Sequence, residues 1–368
     1  MLSVLCLFLA AAPNAAASTP AMRNALESMA TVTPWLASPD PFRDPKHRAD
    51  IARSLDTLAQ LKHGFFRGPT SSTAGLGELF GNQAAWARAD FLAGNTESAR
   101  YRVRSLTQLC MSCHLREPSR DFIDALKVVD RVPLPPLEHA AFLATTRQFD
   151  RALDVWRTAL VRPTKLEPEM FEQLDGLRLA LRVAVRLRDD VNLTHRLIVP
   201  QLLRVELPGI AVRELEGWER DAVAWEHEHF LLAEQPPEQL LLRARMLVEG
   251  SGAENTVAPM PEHFIALLRA ASYLDEVLRR DPEGPWRSEA LYLLGVVHPS
   301  VSDSPVWQLE WMYLEACIRE NAGTSRARTC AQRLKDRTWF IWHSEADMPA
   351  ATVPALGELL ALASAPSP

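Results

Sequence analysis

The most informative stretch of the chain runs from Asn95 to His114 and reads NTESARYRVRSLTQLCMSCH. Asn95 is a favourable N-cap and Glu97 lies in the first turn, so we predict a helix that begins at Asn95 and ends before Pro118. Its apolar residues recur at spacings of four, three, four and three, through Ala99, Val103, Leu106, Cys110 and Cys113. These spacings form one continuous stripe on an amphipathic helix. We expect the stripe, with His114 close to it, to face the interior of a helical bundle.

Near the end of this helix, the residues from Cys110 to His114 follow the pattern C-x-x-C-H. In this pattern two thiols add to the vinyl groups of a haem and the adjacent imidazole binds the iron. A thioredoxin-type dithiol would need a strand-to-helix turn, and a structural zinc site would need a second ligand pair. The sequence offers neither context. It therefore predicts one covalently attached haem c, held by Cys110 and Cys113, with His114 as the proximal iron ligand.

The remainder of the chain has almost no alternating strand pattern and many amphipathic helical segments, which predicts an all-α fold. Three such segments precede the motif helix, at about residues 20–37, from Asp44-Pro45 onward, and at about residues 72–93. Together with the motif helix they predict a four-helix domain over residues 18–118.

Four antiparallel helices with a haem attached near the end of the fourth resemble the cytochrome c-prime family. The resemblance rests on the C-x-x-C-H motif and on Arg23-Asn24, followed by Leu26 and Met29, in the first helix. The first helix is shorter than that family's standard. The resemblance implies that the two motif cysteines hold the porphyrin and that His114 is the fifth iron ligand.

The sixth iron position remains open at the level of sequence. In an up-down-up-down bundle the early residues of helix one lie level with the late residues of helix four, so Met22 or Met29 is a candidate ligand. A thioether ligand raises the potential and favours electron transfer, whereas an apolar wall at Leu26 leaves the iron open to small gases. Leu106 is a further possible haem contact, and Arg104 is a candidate partner for a haem propionate.

The amino terminus and the remaining cysteines bear on the cellular compartment. An apolar run from Leu2 to Ala12, followed by small residues, predicts a signal peptide over residues 1–17 and a periplasmic protein, although no Lys or Arg precedes the run. Haem attachment to C-x-x-C-H takes place outside the bacterial inner membrane, where unpaired thiols oxidise. We therefore predict a disulfide between Cys317 and Cys330. Two ordinary buried thiols are the alternative.

Beyond residue 118 the composition changes, and the stretch Pro133-Leu134-Pro135-Pro136 closes a linker that we assign to residues 119–136. Residues 137–345 contain paired helical segments that resemble a degenerate tetratricopeptide array, clearest at Arg147 to Leu153 and at Ala270 to Gly295. Such an α-solenoid exposes a surface that binds a protein or peptide partner. A plain helical domain that stabilises the haem module is the alternative. Residues 346–368 are expected to form a tail with a short helix.

Composition narrows the function classes. The formal net charge is −6 and the charged residues of both signs are interspersed, so no nucleic-acid partner is predicted. No stretch after the signal is long and apolar enough for a second membrane span. No catalytic acid-base pair can be placed, which makes an enzyme the less favoured class. The preferred hypothesis is a monohaem cytochrome that transfers electrons to a redox partner protein or binds a small gaseous ligand. The alternative is an interaction scaffold or assembly factor whose haem is structural or senses gas.

Overall fold

The computed structural model describes residues 20–366 with gaps at residues 37–38, 62–70, 116–127, 163–166, 205–206, 229, 231, 303–308 and 349–351. The predicted signal peptide and residues 119–127 of the predicted linker lie outside the described residues. Within the motif helix, the side chain of Cys113 is also outside them.

All regular elements in the described part of the chain are helical, which confirms the predicted all-α class. No helix there has the length and apolarity needed to cross a bilayer. The sixteen α-helices are, in chain order, α1 Pro20–Leu36, α2 Pro39–Arg43, α3 Arg48–Gln60, α4 Ser71–Leu92, α5 Thr96–His114, α6 Pro136–Thr145, α7 Phe149–Ala159, α8 Glu167–Arg182, α9 Val191–Leu202, α10 Gly209–Glu226, α11 Pro237–Ser251, α12 Phe264–Arg280, α13 Arg287–Val301, α14 Leu309–Glu320, α15 Ser325–Trp342 and α16 Thr352–Ser364.

Helices α3, α4 and α5 pack side by side in alternating directions. The Arg48 guanidinium lies over the Phe91 ring, 5.6 Å from its centroid, and Asp56, further along α3, pairs with Arg88, an earlier residue of α4. On α5, the Ser98 hydroxyl donates to Asp90 at 2.6 Å. Arg102, one turn later on α5, donates to Gln83 at 2.9 Å. Each of these helices is therefore antiparallel to its neighbour.

Helix α1 packs against α3 and also contacts α5. Its buried side includes Met29, Val32 and Leu36, which pack in the same core as the buried face of α3. Burying each side chain of this size contributes roughly 1.5–3 kcal/mol. At the carboxyl end of α1, the Leu36 carbonyl accepts a hydrogen bond from Arg100 Nη1 at 2.9 Å. The end of α1 is thus fixed beside the beginning of α5.

The connection from α1 to α3 includes the short helix α2, which the sequence did not predict. Phe42 on α2 is 1 % exposed and meets Phe91 of α4 edge to face, with ring centroids 5.3 Å apart. Trp35 and His47 stack across the same connection at 4.4 Å. These ring contacts hold the end of α1 beside the start of α3, so α3 runs back along α1. Because α3, α4 and α5 alternate in direction, α1 and α5 run in opposite directions.

From α6 onward, most helices pack against the next helix in the chain, and α6 also contacts α5. One pair of neighbouring helices is an exception. Helix α10 ends at Glu226, and α11 packs most extensively on α12 rather than on α10. The reason is that α12 is buried on nearly all sides, from Phe264 to Leu278, and forms the centre of the carboxyl-terminal half.

The sulfur atoms of Cys317 on α14 and Cys330 on α15 lie at disulfide-bonding distance, with their Cα atoms 6.3 Å apart. This confirms the predicted pairing. Both residues are fully buried. The pair joins two successive helices across the turn that ends at Thr324, whose hydroxyl accepts a hydrogen bond from the Ala327 amide.

Candidate haem-attachment site

The C-x-x-C-H motif occupies the last turn and a half of α5. Cys110 is half-buried, and His114 is 6 % exposed. Leu106, one turn before Cys110, is fully buried, as the predicted stripe requires. Cys113 lies on α5 three residues after Cys110, so the two cysteines occupy adjacent turns of one helix. The motif therefore belongs to a packed helix rather than to a surface loop.

His114 is held in its neutral form by its surroundings. Its pKa is lowered to about 3, mainly because the imidazole is buried and further because the positive Arg147 lies nearby. A hydrogen bond to the backbone of Thr145 acts in the opposite direction. At neutral pH the imidazole is consequently uncharged, which is the form that binds a metal ion.

Two residues that act on His114, Thr145 and Arg147, come from the end of α6 and the turn that leads to α7. Thr145, Thr146, Arg147 and Gln148 are all buried, although all four are polar. Arg147 has a left-handed backbone, with φ of 64°. This group is not evident from the sequence, because the stretch from Arg147 to Leu153 resembles the start of an ordinary repeat helix. The only sequence signal is a run of polar residues between two apolar helical segments, which usually indicates an exposed turn.

The candidates for the sixth iron ligand lie on α1. The contact between Leu36 and Arg100 fixes how far along the helix axis each residue of α1 lies relative to α5. Since the helices run in opposite directions and each residue rises about 1.5 Å, residues equally far from this contact lie level. For straight helices this count would place Met22 level with His114, and Leu26 level with Cys110. It would place Met29 level with Thr107, about two turns away from His114. Met29 is buried, whereas Met22 and Leu26 are half-buried.

Arg104, the predicted propionate partner, is exposed and lies on the side of α5 that faces α6. Its charge acts on Glu138 of α6, where burial raises the pKa of the carboxyl and Arg104 partly opposes that shift. Both residues line a cleft of about 280 Å³ between α1, α5, α6 and α8. Exposed Tyr101 and Phe171 also line it. Arg104 therefore has a carboxylate from the protein beside it.

The donor set of the motif fits a c-type haem. Cys110 and Cys113 lie on successive turns of one helix, and the histidine that follows is buried and uncharged. The other two cysteines outside the predicted signal peptide, Cys317 and Cys330, are joined to each other elsewhere in the fold. The motif cysteines are thus the pair that remains to hold a porphyrin.

No family model, curated protein or solved structure matches the chain. Its function is therefore inferred from the residues and their geometry.

Proposed function

We propose that this protein is a periplasmic monohaem c-type cytochrome that transfers electrons. The observation that carries the proposal is a C-x-x-C-H motif whose histidine is buried and neutral on a packed amphipathic helix. A neutral imidazole can bind iron, and the two cysteines of the motif can form thioether bonds to a haem. Haem supplies a one-electron iron couple, and the polypeptide determines its ligation and surroundings.

The four longer amino-terminal helices form the haem domain in this proposal. The alternation of α1, α3, α4 and α5 supports a four-helix bundle like that of the cytochrome c-prime family. Cys110 and Cys113 would hold the porphyrin from one side, and His114 would present its imidazole to the iron. The apolar residues of α5, such as Leu106, would exclude water from that side of the haem.

Met22 is the sixth ligand that this proposal favours. Its position level with His114 supports this choice, whereas Met29 lies about two turns away and belongs to the buried core of α1 and α3. A methionine ligand raises the reduction potential of a haem iron and suits an electron carrier.

The helices from α6 to α15 would serve as a tetratricopeptide-like docking domain for a redox partner. Their contact with α5 supports this role, because a partner bound to the array then lies beside the haem domain. The cleft lined by Tyr101 and Phe171 is the part of this junction that offers exposed aromatic side chains, which are frequent in protein interfaces.

Optical spectra of the holoprotein, produced in a host that matures c-type cytochromes, test the proposal. We expect a low-spin ferrous spectrum and a weak far-red ferric band that marks methionine ligation. The ferrous protein should not take up CO rapidly, since both axial positions are occupied. A covalently attached but high-spin haem that binds CO or NO at once would contradict electron transfer and favour gas sensing at an open site beside Leu26.

A further inference from the structure

The turn between α6 and α7 is unusual because its polar residues are buried. Turns that connect helices ordinarily lie at the surface, where water satisfies their polar groups. Here the hydrogen bonds are internal: Thr145 Oγ1 donates to the Phe142 carbonyl at 2.7 Å, and the Gln148 amide donates to the Leu143 carbonyl at 2.9 Å. The turn is thus a closed structure on which the end of α5 packs.

Arg147 is the charged member of this turn. It is 4 % exposed, and its backbone adopts φ of 64°, a left-handed conformation in which glycine or asparagine is the usual residue. An arginine with a flexible side chain would normally extend into solvent at such a position. Instead its charge is enclosed beside His114 and acts on the imidazole.

We propose that Arg147 raises the reduction potential of the haem bound through His114, so that the array helps to set the redox level of the amino-terminal domain. This inference rests on the proposed function. When ferric haem accepts one electron, its positive charge falls by one, so a fixed positive charge nearby disfavours the ferric state more than the ferrous state. Burial strengthens this effect, because the protein interior screens charges less than water does.

The test is a spectroelectrochemical titration of the full-length holoprotein and four variants. Arg147→Gln and Arg147→Gly remove the charge, and Arg147→Lys retains it. The glycine variant adopts a positive φ without steric cost, so a charge-free form with an intact turn is available even if Arg147→Gln does not fold. Arg151→Gln is the matched control, because Arg151 lies nearby on α7 but is largely exposed and pairs with Asp130 at 2.6 Å.

We expect the charge-free variants to decrease the ratio of ferrous to ferric haem at a fixed electrode potential about tenfold, which corresponds to a midpoint lower by about 59 mV for one electron. Arg147→Lys and Arg151→Gln should titrate like the parent protein. An unchanged midpoint without the Arg147 charge would overturn the inference. Equal shifts in Arg147→Lys and Arg147→Gln would also overturn it, because geometry rather than charge would then be responsible.

Failure of the proposed function gives a different result in the same experiment. If the parent chain carries no covalent haem, both the proposed function and the proposed role of Arg147 are wrong. If the parent chain carries covalent haem but its midpoint does not respond to the charge at residue 147, only the role of Arg147 is wrong.

Discussion

At the scale of single residues, His114 connects the sequence motif with the tertiary structure. The motif identifies the histidine, but its neutral state depends on burial and on Arg147 from a separate helix pair. An iron ligand that is uncharged before it binds metal does not have to lose a proton. The protein thus provides His114 in the form that ligation requires.

Alanine substitution of each methionine on α1 tests the proposal that Met22 is an iron ligand and that Met29 is a core residue. Met22→Ala should convert low-spin haem to a high-spin form that binds CO, with a modest loss of stability. Met29→Ala should preserve the spectrum and lower the free energy of unfolding by about 2–5 kcal/mol, because it leaves a cavity in a packed core. Optical spectra and urea denaturation measure both effects. The opposite assignment, with spectral loss only in Met29→Ala, would show that our register for α1 is wrong.

The buried imidazole also predicts a pH dependence in the haem-free chain, prepared as the Cys110→Ser, Cys113→Ser variant. The folded pKa of His114 is about 3, below the value near 6.5 of an exposed histidine. The unfolded chain therefore binds a proton that the folded chain does not, so folding stability falls as pH decreases from about 6.5 towards 3. The loss from this residue is on the order of 5 kcal/mol.

The control is the same chain with His114→Gln, followed by urea denaturation at several pH values. Its stability should vary less steeply over this range. Parallel curves for the two chains would contradict a buried neutral His114.

At this scale the sequence was sufficient to choose candidate site residues, but it did not predict which residues surround them. Helical spacing predicted the burial of Leu106, which is confirmed. The roles of Cys110, Cys113 and His114 come from a local motif and stay a prediction. Arg147 did not follow, because its position beside His114 depends on how α6 packs on α5. The proximity of Arg104 to Glu138 could not be predicted for the same reason.

At the scale of helices, one buried ion pair joins α14 to α15, and a further hydrogen bond joins it to a segment distant in sequence. Glu310 on α14 and Arg337 on α15 are both buried, and Arg337 Nε donates to Glu310 at 3.1 Å. Arg337 also donates to the Val257 carbonyl at 2.8 Å, which attaches the segment after α11 to α15. Burial raises the pKa of the Glu310 carboxyl, and the nearby Arg337 limits that shift.

Removal of one member of this pair leaves a buried charge without its counter-charge. We expect Glu310→Leu or Arg337→Met to lower the free energy of unfolding by about 3–5 kcal/mol, and the double variant to lose less than the two single losses combined. Glu315→Gln, at the more exposed pair with Arg319, is the control and should cost less than about 1 kcal/mol. Urea denaturation measures all four. Additive losses in the double variant would show that the pair is not coupled.

The disulfide joins Cys317 and Cys330, which are separated by 13 positions in the sequence. Loss of this bridge in Cys317→Ala, Cys330→Ala should lower stability by about 3 kcal/mol through the entropy of the unfolded chain, in addition to the cost of the two cavities. Alkylation of denatured, unreduced protein followed by mass measurement tests the bridge directly. We expect no label on either residue before reduction, and labels on both would contradict it.

Helical periodicity was sufficient to predict the all-α class and most helix positions. It could not predict α2, because a five-residue helix with two prolines has no periodic pattern. Nor could it predict that α11 packs on α12. Neighbouring helices in sequence have similar amphipathic patterns, and the extensive burial of α12 determines which of them share a face.

At the scale of the whole molecule, the amino-terminal helices contact the later helices near the C-x-x-C-H motif. The end of α5 carries the motif, and the α6–α7 turn encloses His114. Under the proposed function, this contact would let a partner bound to the later helices influence the haem. The sequence predicted two regions but not this junction, because the predicted linker of residues 119–136 separates them in the chain and carries no signal of the contact.

The mass of the intact, denatured polypeptide tests the central claim most directly. The protein should be produced with cytochrome maturation enzymes, exported, unfolded in acid and weighed, beside a Cys110→Ser, Cys113→Ser control. We predict that the parent chain exceeds its polypeptide mass by one haem and that the control does not. A parent chain at the bare polypeptide mass, or a haem that separates on denaturation, would contradict covalent attachment at this motif.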